Sequence, residues 1–416
     1  MKKIIFTLIF LLHILGGGAY ADETLNIEDC VKTALQKHPD ILAAAKRIDS
    51  KKALIGEAAS GGHPQLSVGA GYTRSGGSEQ DSDIGKYSTK ITLEQSVYDW
   101  GKRELSVSGA KLDTYAAELD YQAERDEVIA NVKESYYGLN KSTRENGIAL
   151  TRYANYEKRL AWARAYYSAG TKAKIEVTKA ESDLANSKLT LVKTMSSVSQ
   201  YKASLAEAMG MPMLTINNVA DELGYNDWSI SLGDALSRAE QNRPEILAQK
   251  KRVESAWMTL QLQKKGLAPS LTASVGYDIY GSAPGDNSEW TGKLSASIPL
   301  SDGGLTASKV KGAAADLAEA EAEMQSLSNS VVLEVRKAWE SLIESKEAIV
   351  ASKAAESQAK ETLDLALGRY SAGVGNSLEV SDAVDSYAEA QTNTVQSMYD
   401  CKTARLDLEK AMGGLN

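Results

Sequence analysis

Apolar positions along this chain switch between two periods. From Lys102 to Tyr167 they step by three, four or seven, as in Leu105, Leu112 and Leu119, then Val128, Val132, Tyr136 and Leu139, then Tyr153, Tyr156 and Leu160. That is one face of a helix, close to a heptad seam. An unbroken helix of this length measures roughly 100 Å. With Gly138 and Gly147 inside it, neighbouring helices must hold it laterally. A turn over 168–175 leads to an antiparallel return helix from Glu176 to Met209. A second long helix, from about Leu305 to Tyr370, turns over 371–378 and returns to Met412. Shorter helical pairs precede both, Glu28 to Lys37 with Pro39 to about Ser60, and Leu232 to Gln241 with Pro244 to about Lys264. Pro39 and Pro244 suit the first turn of a helix, where no amide partner is lost.

Between the short and long helices the period falls to two. Leu66, Val68, Ala70 and Tyr72 alternate with Ser67, Gly69, Gly71 and Thr73, and Tyr87, Thr89, Ile91 and Leu93 with Ser88, Lys90, Thr92 and Glu94. Leu271, Ala273, Val275 and Tyr277, then Leu294, Ala296 and Ile298, repeat the pattern. The expectation is four strands, at 64–75, 87–98, 269–280 and 290–300, each with one apolar and one polar face, as a membrane barrel requires. Tyr72, Tyr87, Tyr277, Tyr280 and Trp290 flank the hairpin loops, and Tyr98 and Trp100 mark the opposite end, which reads as an aromatic girdle. The loops, Arg74 to Lys86 and Gly281 to Glu289, have the polar turn chemistry of an exposed surface.

The chain is one unit written twice. Pro39, Pro64 and Tyr72 recur as Pro244, Pro269 and Tyr277, an offset of 205 residues. Beyond the first hairpin loop the offset is 203: Asp99 and Gly101 match Asp302 and Gly304, Tyr167-Ser-Ala-Gly170 matches Tyr370-Ser-Ala-Gly373, and Ala208-Met-Gly210 matches Ala411-Met-Gly413. A surface loop absorbs such a length change. The domain reading is a leader at 1–21, repeat 1 at 22–213, a linker at 214–228 and repeat 2 at 229–416.

Four strands cannot close a barrel, and an open sheet edge in lipid leaves backbone groups unpaired. The chain must therefore associate. Two copies give eight strands, a barrel filled by its own side chains; three give twelve, which can hold a pore. Small residues on the long helix, Ala110, Ala116, Ala117 and Ala123, read as the lining of a hollow tube and favour three.

Composition narrows the compartment. Lys2 and Lys3, an apolar run from Ile4 to Leu15 and Ala19-Tyr20-Ala21 form a secretory leader cut after Ala21. Phe6 and Phe10, the 2 phenylalanines of the chain, both lie in it, so the mature aromatics are tyrosine and tryptophan, suited to a lipid–water boundary. A formal net charge of −8 argues against nucleic acid as a partner. Cys30 and Cys401, the 2 cysteines, are a candidate disulfide in an oxidising compartment, left open because sequence cannot show their separation. No metal-ligand, phosphate-loop or nucleophile pattern appears, so no enzyme, metal or cofactor is expected. The alternative to a membrane channel is a soluble periplasmic coiled-coil scaffold or adaptor, which has no use for amphipathic strands with aromatic ends.

These residues carry a resemblance to the TolC family of trimeric outer-membrane efflux and secretion channels over essentially the whole mature length. It rests on the duplicated openings His38-Pro39-Asp40 and Arg243-Pro244-Glu245, the Asp-x-Gly strand-to-helix junctions at Asp99 and Asp302, and the two Tyr-Ser-Ala-Gly hairpins followed by Glu-Val. The resemblance implies a homotrimer with a 12-stranded barrel in the outer membrane and a 12-helix tunnel in the periplasm. It also implies a periplasmic adaptor, or membrane fusion protein, and an inner-membrane transporter of RND or ABC type. Tyr167, Gly170, Val177, Gly373 and Val380 would then mark adaptor-docking tips, and Glu379 and Asp382 an acidic ring at the closed aperture, with Asp385 read instead as a helix-dipole acid. Tyr370 and Glu176 match a latch between hairpins. The basic partner of that latch falls on Gly375, so Lys174 or Lys172 is the candidate substitute charge.

Overall fold

The computed structural model describes residues 24–75, 84–225 and 227–415; the leader and the middle of the first hairpin loop lie outside them. Eight helices and four strands follow in the expected order: α1 (Ile27–Lys37), α2 (Pro39–Ser60), β1 (Gln65–Ser75), β2 (Ile84–Tyr98), α3 (Lys102–Ser168), α4 (Lys174–Ala208), α5 (Leu232–Asn242), α6 (Pro244–Lys264), β3 (Ser270–Gly281), β4 (Asn287–Ser297), α7 (Leu305–Ser371) and α8 (Ser377–Ala411). The compact units do not coincide with the sequence repeats. One gathers the residues up to Pro39, Glu127–Ser229 and Ala338–Glu409; the other gathers Asp40–Asp126, Ile230–Lys337 and the residues from Lys410 on. Each draws on both repeats because α3 and α7 run from one unit into the other.

The sheet belongs to the second unit and is an antiparallel meander in the order β1-β2-β3-β4, with β1 and β4 as its edges. Its register aligns the apolar positions across all strands. Leu66 faces Leu93, which faces Val275; Val68 faces Ile91, which faces Tyr277, which faces Trp290. Because side chains alternate faces with period two, this register produces one mainly apolar face, with Thr89, Gln95 and Ser288 among its polar members. Leu66, Val68, Leu294 and Trp290 on it are 67–76% exposed, an apolar surface with no cover from its own chain. The other face carries the row Gly69, Lys90, Asp278 and Glu289, with Lys90 3.7 Å from Asp278. Tyr72 and Tyr87 pair across strands with ring centroids 4.9 Å apart, and Tyr98 meets Trp100 edge-on at 4.6 Å. Tyr280 departs from the girdle reading, since its register partners are Ser88 and Asn287 on the polar face. Strand limits also shift. β2 starts at Ile84 because Gly85 and Lys86 pair with Arg74 and Thr73, and β4 ends at Ser297, two residues before Pro299, which cannot donate to a ladder. Ala116 and Ala117, read as tube lining, are instead 3% and 8% exposed and lie in the core of this unit.

The recurring motifs have recurring geometry. Asp99 caps the start of α3, its carboxylate accepting from the amides of Gly101 at 3.0 Å and Arg103 at 2.9 Å. Asp302 does the same for α7 with Gly304 at 3.1 Å and Thr306 at 2.7 Å, and its bonds from Thr306 hold the carboxyl below its ordinary range. Gly210 and Gly413 follow α4 and α8 at φ 69° and 71°. A Cβ on Gly210 would lie 2.8 Å from the His38 Cα, and one on Gly413 2.7 Å from the Arg243 Cα. The duplicated glycines are therefore the sites where a return helix presses its end onto the junction between two short helices. The candidate disulfide is not formed: Cys30 and Cys401 are free, buried thiols, and burial pushes Cys30 up to about 12. Among the described residues no helix is long and apolar enough to cross a membrane.

Candidate functional site

The two hairpin turns, both in the first unit, share one backbone design. Thr171 N–H donates to Tyr166 O at 3.0 Å and Gly170 N–H to Tyr167 O at 3.0 Å; Val374 N–H donates to Arg369 O at 3.1 Å and Gly373 N–H to Tyr370 O at 3.0 Å. Each is a helix C-terminus closed by a left-handed glycine, Gly170 at φ 71° and Gly373 at 78°. The second turn is tighter. Gly375 N–H also bonds Arg369 O at 3.0 Å, and a Cβ on Gly375 would stand 2.9 Å from Tyr370 N. In this geometry the turn has no room for a side chain at position 375. Asn376 then caps α8, its Oδ1 accepting from Glu379 N–H at 2.8 Å.

The residues around the turns are not placed alike. Tyr370 and Val380 are 1% exposed and belong to a core with Tyr156, Leu363, Ala366, Ala383 and Val384, against which Trp162, Tyr166 and Leu184 of the first hairpin pack. Tyr370 lies 6.0 Å from the Trp162 ring and 5.8 Å, edge-on, from Tyr166. Tyr167, Gly170 and Gly373 are exposed, and Val177 is half-buried beside Leu160, Ala163 and Ala180. Val380 is therefore not a surface for a partner in this arrangement: the α8 face that carries it is the face packed on the first hairpin.

Polar ties join the same two hairpins, and of their residues Ser377, Arg159, Asp183, Ser381, Tyr156 and Arg152 are not among the site residues read from the sequence. The Ser377 hydroxyl donates to Glu176 Oε2. Arg159 on α3 is 1% exposed; its Nη1 bonds Asp183 Oδ2 of α4 at 2.5 Å and the Ser381 hydroxyl of α8, while Ser381 donates to Asp183 at 3.0 Å. One turn of α8 further, Asp385 accepts from the Tyr156 hydroxyl at 2.5 Å and pairs with Arg152 at 2.8 Å. Asp385 is thus a cross-hairpin acceptor in addition to an acid near a helix start. The candidate latch of Tyr370, Glu176 and Lys174 is not assembled as such. Glu176 is engaged by Ser377, the Tyr370 hydroxyl has no hydrogen-bond partner among the described residues, and Lys174 stands exposed at the first position of α4. Burial, followed by the charge of Glu176, raises the Tyr370 pKa and keeps the phenol neutral. Glu379 and Asp382 are exposed on the first turns of α8, with Arg369 3.7 Å from Glu379. Among the described residues no group of three His, Cys, Asp or Glu side chains is placed to hold a metal. What the arrangement can do is hold two helical hairpins together through hydrogen bonds and ion pairs.

Comparison with known proteins agrees with this architecture. The signature of the Outer membrane efflux protein family matches residues 30–211 and 235–414, one segment in each repeat, and the chain belongs to that family. It is 25% identical over 443 residues to the outer membrane protein TolC of Escherichia coli (strain K12), covering 100% of this chain and 87% of the relative. It is 23% identical over 408 residues to the outer membrane efflux protein BepC of Brucella suis biovar 1 (strain 1330), covering 96% and 87%. In fold it is similar to the Campylobacter jejuni CmeC outer membrane channel, with TM-score 0.84, 18% identity and 93% and 85% of the two chains covered. It is also similar to VceC of Vibrio cholerae, with TM-score 0.80, 20% identity and 93% and 96% covered.

Proposed function

We propose that this chain is the exit duct of a tripartite efflux pump or type I secretion system, a passive outer-membrane channel that works as a homotrimer. The observation that carries this reading is the sheet: one face mainly apolar and exposed, the other polar, and two open edges. In lipid those edges must be paired, and three copies of a four-stranded antiparallel meander close into twelve strands with every neighbour antiparallel. The long helices of the three copies then form the periplasmic tunnel, and the hairpin turns its inner mouth. Glu379 and Asp382, repeated in three copies, make that mouth acidic and cation-attracting. Tyr167, Gly170 and Gly373 stay open to a periplasmic adaptor, through which an inner-membrane transporter of RND or ABC type supplies the energy. Glu176, held by Ser377, and Tyr370, held by packing, keep the hairpins closed at rest. The chain itself performs no chemistry. Outer-membrane fractionation followed by mass measurement in detergent and planar-bilayer recording tests the reading. Three copies per particle and ion conductance are expected; a monomer that passes no ions would overturn it.

A further inference from the structure

We propose that Arg159 is the closing cation of the hairpin mouth, fastening the first hairpin to the second. The inference rests on the reading of the chain as a gated duct. A cation on the second turn is excluded at position 375, where a Cβ would press on the Tyr370 backbone at 2.9 Å. The first hairpin supplies one instead. Arg159 reaches Asp183 of its own hairpin and Ser381 of the other through a single nitrogen, Nη1, and Ser381 closes the triangle by donating to Asp183. The guanidinium also lies over the Tyr156 ring at 5.8 Å, and the Tyr156 hydroxyl holds Asp385 of the second hairpin. One side chain thus organises two separate contacts onto α8.

Two further observations distinguish a latch from a strut. Arg159 is 1% exposed, yet its Nε and Nη2 have no hydrogen-bond partner among the described residues. A buried cation that satisfies only part of its donors is held with little margin, because release into water restores the missing partners. The closed arrangement is therefore favourable but poised. The clamp is also absent from the repeat scaffold: the positions 203 residues after Arg159 and Asp183 hold Thr362 and Ser386. A device needed merely to pack helical hairpins would be expected in both copies. This one occurs once, between the hairpins.

The test is single-channel recording of the full-length protein in planar bilayers, with trimer content and thermal stability measured in parallel. Arg159→Ala is expected to raise resting conductance on the order of tenfold. Arg159→Lys, which keeps the charge but carries it on a shorter side chain, is expected to raise it less. Closure is expected to return when Arg159→Ala is combined with Asp183→Cys and Ser381→Cys and oxidised, and to be lost again on reduction; Cys30 and Cys401 are first replaced by Ser. A role confined to stability does not produce that reversible change. Should Arg159→Ala not assemble, Arg159→Lys carries the comparison. If the wild type conducts while both substitutions leave its resting conductance unchanged, or the crosslink leaves the opened variant open, the latch is overturned and the duct reading stands. A wild type that conducts no ions overturns both.

Discussion

Tyr370 is 1% exposed, whereas Tyr167, its counterpart in the first Tyr-Ser-Ala-Gly turn, is 47% exposed. Identical local sequence gives the same glycine-closed helix end but opposite environments, because the second hairpin lays its turn on Trp162, Tyr166 and Leu184 of the first. Local backbone shape follows the turn residues, while burial follows what packs against them.

That relationship separates two substitutions of the same kind. Tyr370→Ala empties a filled site and is expected to cost roughly 3 kcal/mol, while Tyr167→Ala should cost less than about 0.5 kcal/mol. Tyr370→Phe is expected to be neutral or slightly stabilising, since the hydroxyl is buried without a partner among the described residues. Hydrogen exchange of the amides around Ser371 to Ser377 reads the difference. Equal losses at the two tyrosines, or a Phe substitution as damaging as Ala, would contradict the packing assigned here.

Gly210 and Gly413 make a matched pair for a second experiment. Each has a positive φ, and each would bring a new Cβ within 2.8 Å of another backbone. Alanine at either is expected to destabilise by about 1–3 kcal/mol, from left-handed strain and the displacement of a helix junction together. Gly147 is the control: it lies inside a helix, a methyl group added there would meet nothing within 4 Å, and Ala is expected to stabilise by up to about 1 kcal/mol. Thermal melts of the three variants in one detergent give the ranking, and a Gly413 variant as stable as the Gly147 variant would refute the close approach.

Much of the fold was readable because its signals are periodic. The shift from steps of three and four to steps of two located every helix and strand, and the repeat offset placed both turns. Strand ends were less legible: Gly85 and Lys86 carry no hydropathy signal, and only their pairing with Arg74 and Thr73 extends β2 back to Ile84. The mouth was legible in outline only. Gly375 showed as a departure from the resemblance, but the Tyr370 backbone that leaves no room for a side chain there is brought against it only by the folded turn. Arg159 and Asp183 read as ordinary charges on helix surfaces, since burial of a charged residue follows from a tertiary partner that no local pattern announces. One signal was available: neither has a charged counterpart in the second repeat.

Asp126 offers a pH-dependent check on the second unit. Burial on α3, followed by the nearby charge of Glu245 on α6, raises its carboxyl from the ordinary carboxylate range to about 6, against the opposing pull of Arg125 and Lys410. Because the folded value lies above the unfolded one of about 3.9, the folded state binds this proton more tightly. The stabilisation from that proton is complete below about pH 4 and is lost as pH rises through 6. At neutral pH the ionised group is therefore a net cost to the fold. Asp126→Asn removes the cost, and after allowance for partial solvent exposure the gain is expected to be about 1 kcal/mol at pH 7.5 and close to nothing at pH 4. Melting curves of wild type and variant across that range decide it, because a pH-independent gain would mean that the substitution acts through packing and not through the charge.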